Sequence, residues 1–482
     1  MFHYFKISHF FFRSTMLFLV GLTSLYARGQ ADVRQNISNN FNNYQQNHLQ
    51  EKLFTHTDRS FYVAGEVLWF SIYCMHGTTH QLLALSKVAY VELLDKEGIP
   101  VLQAKTPLDQ GTGNGSLSLP ISMQTGNYRF RAYTHWMKNG EADFYFEKDI
   151  TVVNTLQKDT LTAPVKETGN ASVQFFPEGG YLVQGLNSKV AFQVTDTLGR
   201  SIAAEGILLS ATNDTIIRFR TLKSGIGTFA FTPQSNATYK AVLHITDDRL
   251  LTKELPPVQE QGYVLQVSDA EDGNTVHITA QTTTGEGTAY LLIHTGQQIK
   301  TAETIVFSNG TARFQLNKAA IGEGISHIML FNNRQQPVCE RLYFKKPSSV
   351  LYIHAQPDQQ QYATRKKVTL TIFAKNEKGE PAPSRLSMAV FRLDSLSFLE
   401  TNTIYHYLWL TSDLSGVVES PDYYFTHNDK EASEALDNVM LTHGWRRFKW
   451  DDVLANRKPV LQFLPEYDGH IITGKVVGEE KG

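Results

Sequence analysis

The sequence predicts an all-β chain of tandem β-sandwiches with a short helical insertion near its C-terminus. Short alternating apolar segments recur along most of the chain, separated by turn residues at roughly the 8–12-residue spacing of sandwich domains. The 21 Tyr and 29 Phe favour strands over helices. A pattern led by tyrosine also recurs, at Tyr62, Tyr181 and Tyr362, each time running through a turn into an alternating strand. The 482 residues suffice for several domains.

Composition excludes several classes of function. Forty-five Lys plus Arg stand against 47 Asp plus Glu, a net charge of -2, so binding by bulk phosphate neutralisation is not expected. Two cysteines exclude a disulfide scaffold and a Cys-rich zinc module. Cys74 and Cys339 could pair in an oxidising compartment, but two separate small buried hydrophobes is the favoured reading.

The elements follow in chain order. Lys6 and Arg13 precede the apolar run 16–22, and Gly29-Gln30-Ala31 has the small-x-small form of a cleavage site. Residues 1–31 therefore read as a secretory signal peptide cleaved after Ala27 or Ala31, because the run is too short for a membrane span. Residues 32–50 form a lead-in helix or linker, with Ile37, Phe41, Tyr44 and Leu49 apolar. A first sandwich spans 51–155, with strands at 67–73, 88–94, 116–119 and 128–133. A second spans 170–256, a third 260–346, and a fourth 350–465. The fourth carries the helical insertion over 429–442, where Ala432, Ala435, Leu436, Val439 and Met440 make one stripe. Ile471 to Gly478 begins another strand, so 469–482 is expected to open a further, truncated domain.

Few residues invite a chemical reading. Gly111 to Gly115 resembles a phosphate loop in composition, but an alternating segment follows where a cradle needs a helix, so a hairpin or interstrand loop is expected. His56 and Asp58, with Glu66, His76 and His80 nearby, lack metal-ligand spacing; a turn held by the Asp58 side chain is the simpler account. No G-x-S-x-G elbow and no H-E-x-x-H occurs. The chain is therefore read as a non-enzyme with no catalytic residue, cofactor or metal.

Two C-terminal aromatic clusters are the candidate interaction residues. Tyr423, Tyr424 and Phe425 either present rings for binding or pack against the following helix. Trp445, Arg446, Arg447 and Trp450 alternate basic and aromatic groups, and form either internal cation–π stacking or a partner-docking patch.

Several of these segments together carry a family resemblance. Residues 51–66, with His56-Thr57-Asp58, Tyr62 and Gly65-Glu66, look like the opening of a macroglobulin-type domain. Residues 126–137 resemble its late strand, and Phe175-Phe176-Pro177-Glu178-Gly179-Gly180 the opening of the next domain. Residues 412–416, 419–425 and 444–448 resemble a C-terminal signature of large exported bacterial proteins. In that group macroglobulin-like sandwiches precede a carboxypeptidase-regulatory-like domain, often followed by a TonB-dependent receptor plug. The resemblance covers roughly residues 50–482 and implies that 469–482 is the first strand of the regulatory-like domain. It also implies immunoglobulin-like sandwiches, a periplasmic or outer-membrane location, and an envelope protein as partner, with a TonB-dependent transport system behind it. The thioester motif Gly-Cys-Gly-Glu-Gln of the trapping macroglobulins is absent; Cys339-Glu340-Arg341 lacks its glycines and Gln. The expected function is a non-catalytic spacer and binding protein of the envelope. The other readings are a thioester-less protease-interacting protein, with a bait over 156–170, and a carbohydrate-binding module.

Overall fold

The computed structural model describes residues 33–157, 171–245, 249–285, 287–393, 402–444 and 446–470. The expected signal peptide, most of the bait candidate, Trp445 and the strand expected from Ile471 lie outside these residues. Among the described residues no helix is long and apolar enough to cross a membrane. The chain is built of β-sandwiches and divides into two units.

One unit comprises the described residues within Met1–Leu49, Lys166–Lys345 and Asp413–Pro459. The other comprises those within Gln50–Val165, Lys346–Ser412 and Val460–Gly482 and contains the first sandwich. Helix α1, over residues 33–47, belongs to the former.

In the first sandwich, β1 (Glu51–Thr57), β3 (Val67–His76) and β6 (Thr112–Ser118) form one sheet in the order β1-β3-β6. The other has the order β2-β8-β7-β4-β5, from β2 (Phe61–Val63), β4 (Val88–Leu94), β5 (Pro100–Pro107), β7 (Gly126–Thr134) and β8 (Phe146–Val153). The alternation in β3 buries Leu68, Phe70, Ile72 and Cys74 against Val91, Leu93, Phe130 and Ile150 of the facing sheet. Gly111, with positive φ, lies in the hairpin turn between β5 and β6, while the glycines after it belong to strand β6. A Cβ on Gly115 would lie 2.7 Å from the Phe70 ring, so the aromatic occupies the space a side chain would take.

The second sandwich pairs β9 (Ser172–Pro177), β11 (Ser188–Thr195) and β14 (Ile226–Phe231) in one sheet. It faces a four-stranded sheet ordered β13-β12-β15-β16, from β12 (Ala204–Leu209), β13 (Thr215–Arg220), β15 (Lys240–Ile245) and β16 (Arg249–Glu254). A short parallel pair, β10 (Leu182–Val183) with β17 (Val258–Gln259), ties its ends. In the third sandwich β18 (Tyr263–Asp269), β19 (Thr275–Thr282) and β22 (Thr311–Asn317) face the order β21-β20-β23-β24, from β20 (Thr288–Thr295), β21 (Gln298–Val306), β23 (Gly324–Phe331) and β24 (Pro337–Lys345). The outer face of that sheet is apolar as well. Tyr290, Leu292, Met329 and Phe331 are buried there beneath Ile37 and Phe41 of α1. That is why the lead-in is helical: its apolar stripe has a sheet to cover.

Residues 350–465 differ from the expected fourth sandwich. Among the described residues they hold one hairpin, β25 (Tyr352–Pro357) with β26 (Leu370–Lys375), and then helices. The helices are α2 (Ile404–Trp409), α3 (Tyr423–Thr426), α4 (Lys430–Thr442) and α5 (Trp450–Leu454). After 404 the described elements are helices, and none of the described strands other than β25 pairs with β26. Helix α4 starts on Asp429, whose carboxylate accepts the Ala432 N–H at 2.8 Å, and its stripe from Ala432 to Met440 is buried.

The tyrosine pattern repeats local structure at two of its three positions, Tyr62 and Tyr362. In the first sandwich the Tyr62 hydroxyl donates to Asp58 Oδ1 at 2.6 Å, and that oxygen accepts the Trp69 N–H at 2.9 Å. Tyr362 donates to Asp358 and the Thr369 N–H donates to Asp358 Oδ1 in the same way, three hundred residues later. The strand register repeats with it: Thr57 faces Phe70, and Pro357 faces Leu370. In the second sandwich Pro177 faces Val190, which places Glu178 at the position of Asp58 and Leu182, not Tyr181, at that of Tyr62. Tyr181 is one residue out of register and is exposed.

Candidate functional site

A cleft of about 900 Å³ opens within the unit that holds the second and third sandwiches. Two edge strands line it. β9 contributes Phe175, Phe176 and Pro177; β24 contributes Val338, Cys339, Glu340 and Leu342. Met440 near the end of α4, Arg446 and the segment from Phe448 to Asp451 add a further wall. Tyr181 stands at the rim after two glycines with positive φ, Gly179 and Gly180. A Cβ on Gly179 would lie 3.0 Å from the Leu265 nitrogen, so only glycine lets this turn approach the third sandwich.

A buried ionic cluster fixes the strands beside the cleft. Arg341 donates through Nε to Glu178 Oε1 at 2.8 Å and through Nη2 to Asp437 Oδ1 at 2.5 Å. Lys189 reaches Asp437 Oδ2 at 2.8 Å. Burial alone would raise the Asp437 pKa, but the Arg341 and Lys189 charges outweigh it and hold the carboxyl below its usual range. The second sandwich, the third sandwich and α4 are thereby joined.

A second chain of groups runs from the cleft wall into the core. Arg446 Nε lies 2.8 Å from Glu340 Oε2, and Glu340 Oε1 lies 2.8 Å from His327 Nδ1. His327 stacks on its cross-strand partner His294, with ring centroids 4.6 Å apart and planes at 10°. Phe41 also lies against His294, with ring centroids 4.7 Å apart. Both His294 ring nitrogens are buried without a hydrogen-bond partner, and the indole nitrogen of Trp450 is likewise unpartnered. Burial, with the neighbouring His327, holds the His294 pKa well below its usual value, so the ring is neutral.

The sequence candidates divide accordingly. Arg446 and Trp450 lie in the cleft wall, Trp450 buried among Phe41, Phe331 and Phe448. Arg447 turns away from it and pairs with Asp413 at 3.4 Å. Tyr424 is buried; Tyr423 carries Lys223 on its ring at 4.1 Å; Phe425 meets Phe344 edge to face at 5.7 Å. These three rings are packed and do not line the cleft. Phe175, Phe176, Tyr181, Glu340 and Lys449 line it and were not singled out as interaction residues. Their signal in the sequence was the Phe-Phe-Pro-Glu-Gly-Gly segment, where two large rings precede a glycine turn.

The unit with the first sandwich has its own aromatic feature. Tyr90, Tyr133 and Tyr145 stack in a ladder, at 5.5 and 4.5 Å with near-parallel planes. Rings stacked this way cover one another's faces and present edges, unlike the coplanar outward row that stacks on sugars. Among the described residues no group of three or more His, Cys, Asp or Glu is placed to hold a metal. Cys74 and Cys339 are buried free thiols.

No protein-family profile matches the chain, and no characterised protein matches it in sequence. Among solved structures it is similar to Salmonella alpha-2-macroglobulin reacted with methylamine, with 11% identity over 67% of this chain and 25% of that one, at a TM-score of 0.18. It is also similar to dimeric latent PorU from Porphyromonas gingivalis, with 10% identity over 61% and 33% of the two chains, at 0.27. A third is a tetra-tandem repeat from the extending region of a large adhesion protein, with 9% identity over 69% and 89%, at 0.18. The chain spans about a quarter of the length of the macroglobulin it matches. The class of fold rests on the sheet orders above, which define tandem β-sandwiches.

Proposed function

We propose that this chain is a non-catalytic binding and spacer protein of the bacterial cell envelope, and that it takes its partner in the cleft beside β9 and β24. The observation that carries this reading is the cleft itself. It combines the exposed ring of Tyr181 and the half-buried rings of Phe175, Phe176 and Phe448 with Arg446 and Lys449, the mixture that favours protein recognition. Of the two edge strands beside it, β24 is bridged at Glu340 by Gly179, so β9 offers the backbone edge for an incoming extended segment. The buried Arg341 cluster keeps the walls in place, which lowers the ordering cost of binding. A spacer role accords with the tandem sandwiches, and a link to TonB-dependent uptake follows from the family resemblance alone.

A photo-crosslinking residue in place of Tyr181, expressed in cells, tests this. It is expected to trap an envelope protein, while the same residue in place of Val306, on the opposite edge strand of the third sandwich, traps none. Equal trapping at both positions, or at neither, removes the cleft as the binding site. A trapped partner other than an outer-membrane transport component removes the TonB link and leaves the binding role.

A further inference from the structure

Residues 462–470 belong to no helix or strand, yet the first sandwich holds them at a built site in the same unit. Asn139, at the end of the 3-10 turn Trp136–Asn139 that follows β7, does what a neighbouring strand would do. Its Oδ1 accepts the N–H groups of Gln462 and Phe463 at 2.9 and 3.0 Å, and its Nδ2 donates to the Phe463 carbonyl at 2.6 Å. His135 Nδ1 donates to the Leu464 carbonyl at 2.8 Å, and the Lys87 N–H donates to that of Glu466 at 3.0 Å. Two side chains of the segment are read as well. The Phe463 ring meets His135 edge to face at 5.1 Å and carries Lys138 Nζ over its face at 4.3 Å. The Glu466 side chain is buried; its Oε1 accepts the Tyr90 hydroxyl at 3.0 Å and lies 3.0 Å from His470 Nδ1. Burial and the bond to Glu466 push the Tyr90 pKa up to about 12, so the hydroxyl stays a donor.

The holder is set independently of what it holds. Asn139 Nδ2 is also anchored on the Trp136 carbonyl at 3.0 Å, and Tyr90 stacks on Tyr133 within the sheet. The held segment adds little to the core. Leu464 and Tyr467 are 61% and 58% exposed, and no residue of the segment joins the hydrophobic cluster of the sandwich. A segment held by polar bonds along its backbone and by one buried carboxylate, with no strand ladder, opens at a lower free energy than the sandwich beneath it. We infer that this end of the first sandwich is a peptide-binding site, and that residues 462–466 fill it as a detachable latch. The ligand it takes is a peptide with an aromatic ring and, three residues later, a carboxylate; in the closed chain Phe463 and Glu466 supply both. Asn139 and His135 grip backbone groups that any peptide offers. The Tyr90 bond is charge-assisted only when a carboxylate receives it, so selectivity falls on the position of Glu466.

Fluorescence anisotropy with the full chain and a labelled peptide of residues 460–470 tests the inference. In the wild type the tethered segment competes at an effective concentration of about millimolar. The double variant Phe463→Ala, Glu466→Ala is therefore expected to bind the peptide roughly tenfold or more tightly than the wild type does. In that background Asn139→Ala, with an unchanged circular dichroism spectrum, and a peptide carrying Glu466→Gln are each expected to weaken binding by about tenfold. A folded double variant that binds no peptide overturns the inference, because the contact is then a fixed part of the fold. Binding that survives Asn139→Ala overturns it, because the peptide then sits elsewhere. Equal affinity of wild type and double variant overturns it too, because the segment then does not fill the site. Should the double variant fail to fold, hydrogen exchange of the wild type decides. The Gln462 and Phe463 amides are expected to exchange roughly tenfold or more faster than those of β4 and β7. Exchange of all of them together would show that the segment leaves only when the sandwich unfolds, and would overturn the latch.

Discussion

Arg341 Nε lies 2.8 Å from Glu178 Oε1, both side chains are 2% exposed, and the two residues belong to different sandwiches of one unit. A charge held at that depth has no water to fall back on. Removing one partner leaves the other buried and unpaired, which costs about 3–5 kcal/mol. Glu178→Ala is therefore expected to destabilise this unit by that amount in urea titrations followed by fluorescence of a variant that keeps Trp450 and replaces the other four tryptophans by Phe. A loss below about 1 kcal/mol would mean that Asp437 alone satisfies the guanidinium.

Glu178 also shows what the sequence makes legible. Its place in the repeat is that of Asp58, which closes a turn, and strand alternation together with the recurring tyrosine was enough to find sandwich strands and turns. The alternation of β3, β4 and β7 is visible because each has one buried face. The cleft was harder to see. Glu340 and Arg446 are over a hundred residues from Phe175, and nothing local marks groups that meet only through packing of two sandwiches and a helix. The Tyr423 to Phe425 segment looks like a binding loop in composition, yet its rings are spent on Phe344 and Lys223. The resemblance to macroglobulin-type domains pointed to sandwiches and left open which of their faces binds.

The two copies of the Asp–Tyr turn make a controlled comparison. Tyr62 is buried, and its hydroxyl serves Asp58 and the Arg59 N–H. Tyr362 makes the same bonds at an exposed site. Tyr62→Phe removes a hydrogen bond from the half-buried Asp58 carboxylate, which keeps the Trp69 N–H, and is expected to cost about 1 kcal/mol, whereas Tyr362→Phe lets water replace the hydroxyl and costs under about 0.5 kcal/mol. Equal costs in thermal melts would show that the turn, not burial, sets the value.

The two thiols are expected to be inert in the folded protein. Burial raises the pKa of Cys339, and burial together with Glu51 raises that of Cys74. Only the thiolate reacts, so a disulfide reagent finds neither access nor nucleophile. Native protein should show no reaction over hours and two thiols per chain on unfolding. Rapid labelling of one cysteine without denaturant would show that its sandwich opens locally.

His294 gives the pH dependence a definite sign. Its folded pKa lies well below the unfolded value of about 6.5, because both ring nitrogens are buried and unpartnered beside His327. Below that pH the unfolded chain binds a proton that the folded chain refuses, so stability present above pH ~6.5 is lost as the pH falls, by about 1.4 kcal/mol per pH unit. The lowered pKa values of His48, His76 and His443 add to the loss in the same direction. His294→Phe keeps the ring stack against Phe41 and removes the titrating group. Its stability, measured by urea titration between pH 7 and pH 5, is expected to fall less steeply than that of the wild type by about that slope. Parallel curves for the two proteins would mean that acid gives the imidazole a proton and a partner in the folded state, and that the aromatic cluster under the cleft admits water.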